Sequence, residues 1–283
     1  MPTPDPGAEW TGQVGSTWAR EWRRTDRSFG ALTSHLLDPA ATANFGAALD
    51  IGCGAGELAC TLAQRVSAAG IHGIDISAEL LAVARARCTA LPNIGFEEAD
   101  AACWTAADGF RPDLLISRHG VMFFADPVAA FTSLREQAAP GARLRFSCFR
   151  SRQDNRWFTE LTAILPQPQP APDPIAPGPF AFADAKRVEA ILAAAGWREI
   201  SFESFEYAMI AGEGVAAEEE AIEYFQRIGP VARAMRDLTE SDRAVALDRL
   251  ATVVGAHHDG NRISLPAAAW IVSAEAPLTQ GGL

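Results

Sequence analysis

The stretch ALDIGCGAGELA, residues 47 to 58, constrains the fold more than any other part of the chain. Leu49, Asp50 and Ile51 read as the end of a buried strand. Gly52, Gly54 and Gly56 read as a turn, and Leu58, Leu62 and Ala63 begin an apolar pattern at helical spacing. A strand that passes through a glycine turn into a helix N-terminus leaves backbone N–H groups facing a nucleotide-sized crevice.

The rest of the chain repeats the same alternation. Apolar β-type runs occur at 47–51, 71–76, 113–117 and 143–149, with a weaker one near 94–97. Between them ELACTLAQRVSAAG, SAELLAVARARCTAL and DPVAAFTSLREQAAPG are helical by period, and Ser77 is placed to cap the second of these. Strands alternating with helices of this length predict a mainly parallel sheet with helices on both faces. Beyond Arg150 come a short helix (RWFTELTAIL), the proline-dense PQPQPAPDPIAPGPF, a helix (DAKRVEAILAAAG) and a strand (WREISFESFEYAMI). Residues 215–255 are mostly helical, and RISLPAAAWIVSAEA closes the chain as a last strand.

Charge narrows what the loop holds. A triphosphate loop needs Gly-Lys-Ser/Thr, which is missing here, and the glycines follow G-x-G-x-G rather than the dinucleotide spacing G-x-G-x-x-G. Asp50 before the turn and Glu57 after it would face a pyrophosphate with two carboxylates. A phosphate-free ligand carrying an ammonium and a sulfonium, S-adenosylmethionine, suits the place better. Asp75, 23 residues after Gly52, ends the next strand, where a carboxylate accepts hydrogen bonds from both ribose hydroxyls. Ile76 beside it is placed to pack on the adenine. Asp100 ends a third strand, an acceptor for the adenine amino group, with Ala101 leaving room for the ring.

These motifs resemble a class I S-adenosylmethionine-dependent methyltransferase of the bacterial small-molecule type. The resemblance rests on LDIGCGAGE (Asp50, Gly52, Gly54, Gly56), GIDIS (Asp75), EEADA (Asp100), PDLLISRHGVMFF, the segment DPVAAFTSLREQAAPGARLRFSCFR, and AAWIVSAEA as an antiparallel seventh strand. It covers residues 40–150 closely and 180–275 more loosely. It implies a Rossmann-like α/β fold with a seven-stranded, mainly parallel sheet whose last strand is antiparallel. It also implies that Asp50 and the glycine loop hold the methionyl end, that Ser117 contacts the cofactor, and that the methyl faces the loop after the fourth strand and the cap. No N-P-P-Y or D-P-P-Y follows that strand, which leaves a small-molecule acceptor rather than a nucleobase or a glutamine.

The fourth strand instead runs into Ser117, Arg118, His119 and Gly120. For His119 two roles are open, a catalytic base drawing a proton from the acceptor and a flat pocket wall; the resemblance puts an aromatic such as phenylalanine at this position. Arg118 is a candidate for binding a carboxylate of cofactor or substrate, with an ordinary ion pair as the alternative. Met122 and Phe123 are candidates to line the acceptor pocket, as are Phe180 and Phe182 after the proline-dense loop, for which a hydrophobic latch holding that loop down is the plainer reading. His257 and His258 are adjacent and face different ways, so AHHDGN reads as a turn, and no metal is expected.

Composition excludes further classes. A net charge of −11, with Lys186 the one lysine among 24 basic residues, disfavours nucleic acid and anionic membranes as partners. The five cysteines lack a C-x-x-C pair and are expected to be reduced and buried in a cytoplasmic protein. The expected organisation is an N-terminal helical lid (1–40), a cofactor-binding core (41–150), a proline-rich lid or cap segment (151–183), a core helix and strand (184–210), a helical cap insert (211–260) and a final strand with tail (261–283). Expected chemistry is methyl transfer to O, N or C of a small, fairly apolar metabolite, with S-adenosylhomocysteine as product. Cyclisation or rearrangement using the same cofactor, and a cofactor-sensing regulatory subunit, are the alternatives.

Overall fold

The computed structural model describes residues 9–38, 42–107, 109–166 and 173–278. Parts of the expected lid (1–8 and 39–40), of the proline-dense stretch (167–172) and of the tail (279–283) lie outside the described residues, as do Ala41 and Asp108 of the expected core. Two helices come first, α1 (Gln13–Arg20) and α2 (Trp22–Leu36). The alternation follows with β1 (Ala47–Ile51), α3 (Glu57–Arg65), β2 (Gly70–Asp75), α4 (Ala78–Arg87), β3 (Ile94–Glu98) and β4 (Leu114–Arg118). After a 3-10 turn at Val121–Phe123 come α5 (Pro127–Gln137), β5 (Arg143–Phe149), α6 (Arg156–Ala163), α7 (Ala185–Ala194) and β6 (Arg198–Glu213). The chain ends with α8 (Ala217–Arg227), α9 (Pro230–Ala234), α10 (Glu240–Ala256), the two-residue β7 (His258–Asp259) and β8 (Arg262–Glu275).

The sheet order is β3-β2-β1-β4-β5-β8-β6, with β7 paired to β8 alone. Strands β1 to β5 run parallel, and β8 is antiparallel to both β5 and β6. This is the Rossmann-like sheet that the alternation predicts. Strand β1 shows why it forms: Ala48, Leu49 and Ile51 are wholly buried, as strands covered on both faces require. The order reverses between β1 and β4, so a crevice opens beyond their C-terminal ends. Ser77 caps α4, its hydroxyl accepting from Leu80 N at 3.4 Å.

The N-terminal helical pattern is broken at Glu21. Its carboxylate is 7% exposed and bonds Arg24 at 3.1 Å and Arg227 at 2.7 Å, tying the joint between α1 and α2 to α8. Helix α1 lies across the start of α4: Ser16 Oγ donates to Glu79, and a Cβ at Gly15 would sit 2.6 Å from Ser77 Oγ. Helix α2 packs on β6, with Ser28 Oγ donating to Ile210 O at 2.8 Å and Arg27 donating to Ala211 O at 3.0 Å. Both opening helices therefore border the strand ends where a ligand would sit.

The cysteine expectation is corrected in part. Cys60 on α3 and Cys88 at the end of α4 are joined as a disulfide, with Cα atoms 6.0 Å apart. Cys53 and Cys148 are free and buried, as expected, whereas Cys103 is free and exposed. A separation of 28 residues hid the pair, because only the packing of α3 beside α4 brings the two helices' cysteines together. No helix among the described residues is long and apolar enough to cross a membrane.

Candidate active site

The glycine turn adopts a conformation that side chains resist. Gly52, Gly54 and Gly56 have φ of +63°, +52° and +81°, all left-handed, and Gly56 is the N-cap of α3. The turn is held from β2. Cys53 N donates to Ile74 O at 3.0 Å, and Gly54 N donates to Asp75 Oδ2 at 2.8 Å. The other Asp75 oxygen accepts from Ser77 N at 2.8 Å. Burial pushes the Asp75 carboxyl above the usual range, opposed by these backbone N–H groups. A Cβ at Gly54 would meet nothing within 4 Å, so the middle of the turn borders open space.

Asp50 lies behind the turn. It is 1% exposed, Oδ2 accepts from Ala59 N at 3.1 Å in the first turn of α3, and Oδ1 is buried with no partner. Burial raises its pKa to about 7 against the pull of the Ala59 bond. The sign follows by linkage. The folded protein holds this proton more tightly than the unfolded chain does, so Asp50 lowers stability as pH rises from about 4 to about 7. The slope approaches 1.4 kcal/mol per pH unit within that window. Thermal melts of Asp50→Asn should lose this dependence, and a wild-type melting temperature that rises steadily from pH 4 to 7 would contradict the assignment.

At the end of β3, Asp100 is exposed; Oδ1 accepts from Ala102 N at 2.9 Å and Ala101 is buried. Ile76 is half-buried beside Asp75. The strand ends thus line up Asp50, Asp75 and Asp100 in the order β1, β2, β3.

Ser117 departs from its expected role. It is wholly buried, donates to Ile51 O at 2.7 Å and accepts from Gly120 N at 3.2 Å, so its hydroxyl ties two strand ends together and has no cofactor-facing surface. It also explains Gly120, which the sequence reading passed over. A Cβ there would lie 2.7 Å from Ile51 O and 3.1 Å from Gly52 Cα, so the turn after β4 is pressed against the glycine loop.

Of the two readings of Arg118 the structure shows the ion pair, in a network that replaces the ligand-binding role. Its guanidinium bonds Glu57 at the start of α3 and Thr33 Oγ1 at 2.7 Å, and it lies 3.6 Å from Asp26 on α2. Asp26 also pairs with Arg87 at 2.8 Å. Two cations and two carboxylates thus clamp α2 onto the helices that follow the first two strands.

His119 has φ +64°, an uncommon conformation for a residue with a side chain. Its ring stacks on Phe149 with centroids 4.0 Å apart and meets Phe29 edge-on at 5.4 Å. Nδ1 lies 3.5 Å from Ser147 Oγ, and Nε2 is buried without a partner. Burial first, and then the Arg118 charge, depress its pKa to about 3. Such a ring is neutral at physiological pH and a weak proton acceptor there, which favours the wall over the base.

The remaining acceptor-side candidates divide. Phe123 is half-buried and meets Trp10 edge-on at 5.2 Å, and Trp10 in turn meets Trp18 at 5.3 Å. Phe180 packs against Phe158 at 4.7 Å and Phe149 at 5.9 Å, so it joins the aromatic wall that continues from His119. Met122 and Phe182, each 1% exposed, are corrected from pocket lining to core. Phe182 sits 6.2 Å from Phe131 and 6.3 Å from Phe146, on the sheet side of the loop it holds down. Phe29, Phe149, Trp157 and Asn155 were not anticipated, because each reads in sequence as an ordinary core or loop residue.

His257 and His258 pair with Glu160 and Glu218 respectively. Among the described residues there is no group of three or more potential metal ligands.

Comparison with known proteins adds to this geometry. Residues 48–141 match the family model described as a methyltransferase domain. The trans-aconitate 2-methyltransferase of Delftia acidovorans is 37% identical over 107 residues, 38% of this chain and 39% of that protein. The enzyme of the same name from Azoarcus is 29% identical over 190 residues, 66% of this chain and 65% of that one. This chain spans less than half the length of the first curated relatives it matches, 39% and 45%. Among solved structures, a phosphoethanolamine N-methyltransferase of Haemonchus contortus has the same fold. It was crystallised with S-adenosylhomocysteine and phosphomonomethylethanolamine, and superposes with a TM-score of 0.54 at 18% identity, over 92% of this chain and 57% of that one.

Proposed function

Starting from a chain that carries a class I S-adenosylmethionine-dependent methyltransferase domain, we propose that it transfers the cofactor's methyl group to a small molecule held against the His119–Phe149 wall. The observation that carries this reading is the juxtaposition at Gly120. The glycine turn fit for the cofactor and the turn bearing His119 are in backbone contact, so cofactor and acceptor would meet there.

The residues present fit the cofactor. The unpartnered Asp50 Oδ1 suits its ammonium group, acting directly or through a water molecule. The carboxylates of Asp75 and Asp100 retain lone pairs for the ribose hydroxyls and the adenine amino group, and the open space at Gly54 leaves room for the chain between them. Ile76 and Ala101 would flank the ring. S-adenosylmethionine supplies a methyl carbon on a cationic sulfur, which an acceptor lone pair takes while the carbon–sulfur electron pair stays on sulfur.

The protein's part is orientation and exclusion of water. Helices α1 and α2 border the strand ends, and we assign them the role of a lid, latched through α2 by Arg118 to Thr33 and Asp26. With His119 neutral, the acceptor must arrive with its nucleophilic lone pair free, as a carboxylate or an unprotonated amine does. The trans-aconitate 2-methyltransferases act, by their name, on a small carboxylic acid, which makes trans-aconitate the first acceptor to test.

Calorimetric titration with S-adenosylmethionine, S-adenosylhomocysteine and NAD tests the premise. Binding of the two sulfur nucleosides and silence toward NAD is expected, followed by release of S-adenosylhomocysteine when a suitable acceptor is added. Binding of NAD alone would overturn the reading of the glycine turn. Cofactor cleavage to other products would move the chain to the rearrangement class.

A further inference from the structure

We propose that Asp26, on helix α2, is a positioning residue for the cofactor: its one carboxylate holds Arg87 and Arg118 together, and through them it fixes both sides of the glycine turn. Docking of α2 and binding of S-adenosylmethionine then favour each other. The proposal rests on the methyltransferase reading above and adds to it the group that couples the lid to the cofactor turn.

The turn needs an outside hold at one place. Its first residues are tied down by β2, with Cys53 N on Ile74 O and Gly54 N on Asp75. Ala55 lies between two left-handed glycines, Gly54 at φ +52° and Gly56 at φ +81°. Glycine changes conformation at little cost, so the peptide plane between Ala55 and Gly56 turns over readily unless both of its polar ends are bound. Its N–H end donates to Cys53 O at 2.9 Å. Its carbonyl end accepts from Arg87 Nη1, at the end of α4, at 2.8 Å. On the other side of Gly56, the Glu57 carboxylate accepts from Arg118 at the end of β4.

Both arginines converge on α2. Arg87 Nη2 is 2.8 Å from Asp26 Oδ2, and Arg118 Nη2 is 3.6 Å from Asp26 Oδ1. The circuit runs from Ala55 O through Arg87, Asp26 and Arg118 to Glu57, and closes across Gly56. Rings of the same helix seat the two guanidinium groups. Arg87 lies over Trp22, 4.1 Å from the ring centre, and Arg118 lies 5.2 Å from the centre of Phe29. The four charged side chains are between 15% and 20% exposed, so solvent and salt screen them less than a surface pair. Without the Asp26 charge, two cations share the one carboxylate of Glu57 and repel each other. Arg87 then has no charged partner among the described residues to keep it at the turn. Coupling between two sites is reciprocal, so a helix that fixes the turn is itself held more firmly when the turn is occupied.

The test uses the full chain and S-adenosylhomocysteine, titrated by calorimetry into wild type, Asp26→Asn, Asp26→Glu, Arg87→Met and the double variant of Asp26→Asn with Arg87→Met, each below its melting transition. Asp26→Asn and Arg87→Met should each lose ~10-fold in affinity, and the double variant should lose little more than either, since one circuit is broken in every case. Asp26→Glu, which keeps the charge, should recover most of the loss. Should Asp26→Asn fail to fold, Arg87→Met decides alone, because it leaves Asp26 paired with Arg118. Hydrogen exchange supplies a readout that a merely structural carboxylate would not move. Saturating S-adenosylhomocysteine should slow amide exchange along Trp22–Leu36 in wild type, and that slowing should be lost in Arg87→Met. With an acceptor that is turned over, the substitutions should raise KM for S-adenosylmethionine more than they lower kcat.

If S-adenosylhomocysteine binds wild type and the variants equally well, if the two losses add in the double variant, or if the ligand slows exchange in α2 of Arg87→Met as much as in wild type, this inference falls while the methyltransferase reading stands. If S-adenosylhomocysteine fails to bind wild type, both fall.

Discussion

Alanine at Gly120 should abolish cofactor binding and lower the melting temperature together. The added methyl would lie 2.7 Å from Ile51 O, 2.9 Å from Ser117 Oγ and 3.1 Å from Gly52 Cα, and two of these three neighbours are backbone with nowhere to move. Relieving the overlap means prising the turn after β4 away from the glycine loop, which breaks the Ser117 bonds to Ile51 and Gly120. Overpacking of this kind costs about 1–3 kcal/mol. The displaced loop should lose ~100-fold or more in affinity for S-adenosylmethionine, since a shift of about 1 Å spoils several hydrogen bonds at once. Gly54→Ala is the informative contrast. It meets no atom within 4 Å and suffers from its φ of +52° alone, so its melting temperature should fall less. Calorimetry and thermal melts on the two variants decide the matter, and a Gly120→Ala protein that binds and melts like wild type would show that the two turns are not in contact.

The second large effect is expected at Asn155, a residue with no exposed surface. Its Nδ2 donates toward the carbonyls of Arg150 at 3.2 Å, Ser151 at 2.9 Å and Ala268 at 3.0 Å. Its Oδ1 accepts from Ala268 N at 2.9 Å and from Trp157 Nε1 at 3.0 Å. One side chain thereby fastens the loop after β5 to β8 and orients Trp157, whose ring packs 5.2 Å from Phe149. Asn155→Ala strands several buried polar groups at about 1–3 kcal/mol each, so a loss of about 4 kcal/mol is expected. For a chain of this size that is a drop of roughly 10 °C in melting temperature. The effect should reach the site as well, since Phe149 is the ring on which His119 stacks. Asn155→Asp, which keeps the acceptor oxygen but replaces the amide donor, should also be destabilised. A melting temperature within 2 °C of wild type for the alanine variant would refute the role.

How much of this was legible beforehand depends on the range of the interactions involved. The antiparallel last strand was implied by the resemblance to methyltransferases, whereas the strand–turn–helix at residues 47–58, the order of Asp50, Asp75 and Asp100 at successive strand ends and the cap at Ser77 were readable from the residues themselves. Each follows from periodicity, turn chemistry or a motif contained within about ten residues. The misreadings have the opposite character. Arg118 could be read as a ligand-binding residue or as half of an ion pair, and the choice stayed open because its partners, Glu57 and Asp26, are 61 and 92 positions away in the chain. Met122 and Phe182 looked like pocket residues because an aromatic or apolar residue near a loop carries no mark of which side of the loop it will face. Cys60 and Cys88 met only through helix packing.

The sequence by itself determined the alternation of strands and helices, the mainly parallel sheet and the kind of ligand its first turn accommodates, because backbone conformation and burial pattern are properties of short segments. Only the tertiary structure decided which polar groups are already satisfied. Ser117 and Asn155 are bonded into the frame, while the Tyr207 hydroxyl and His119 Nε2 have no hydrogen-bond partner among the described residues. That distinction rests on contacts between residues brought together from opposite ends of the chain, and no local pattern encodes it.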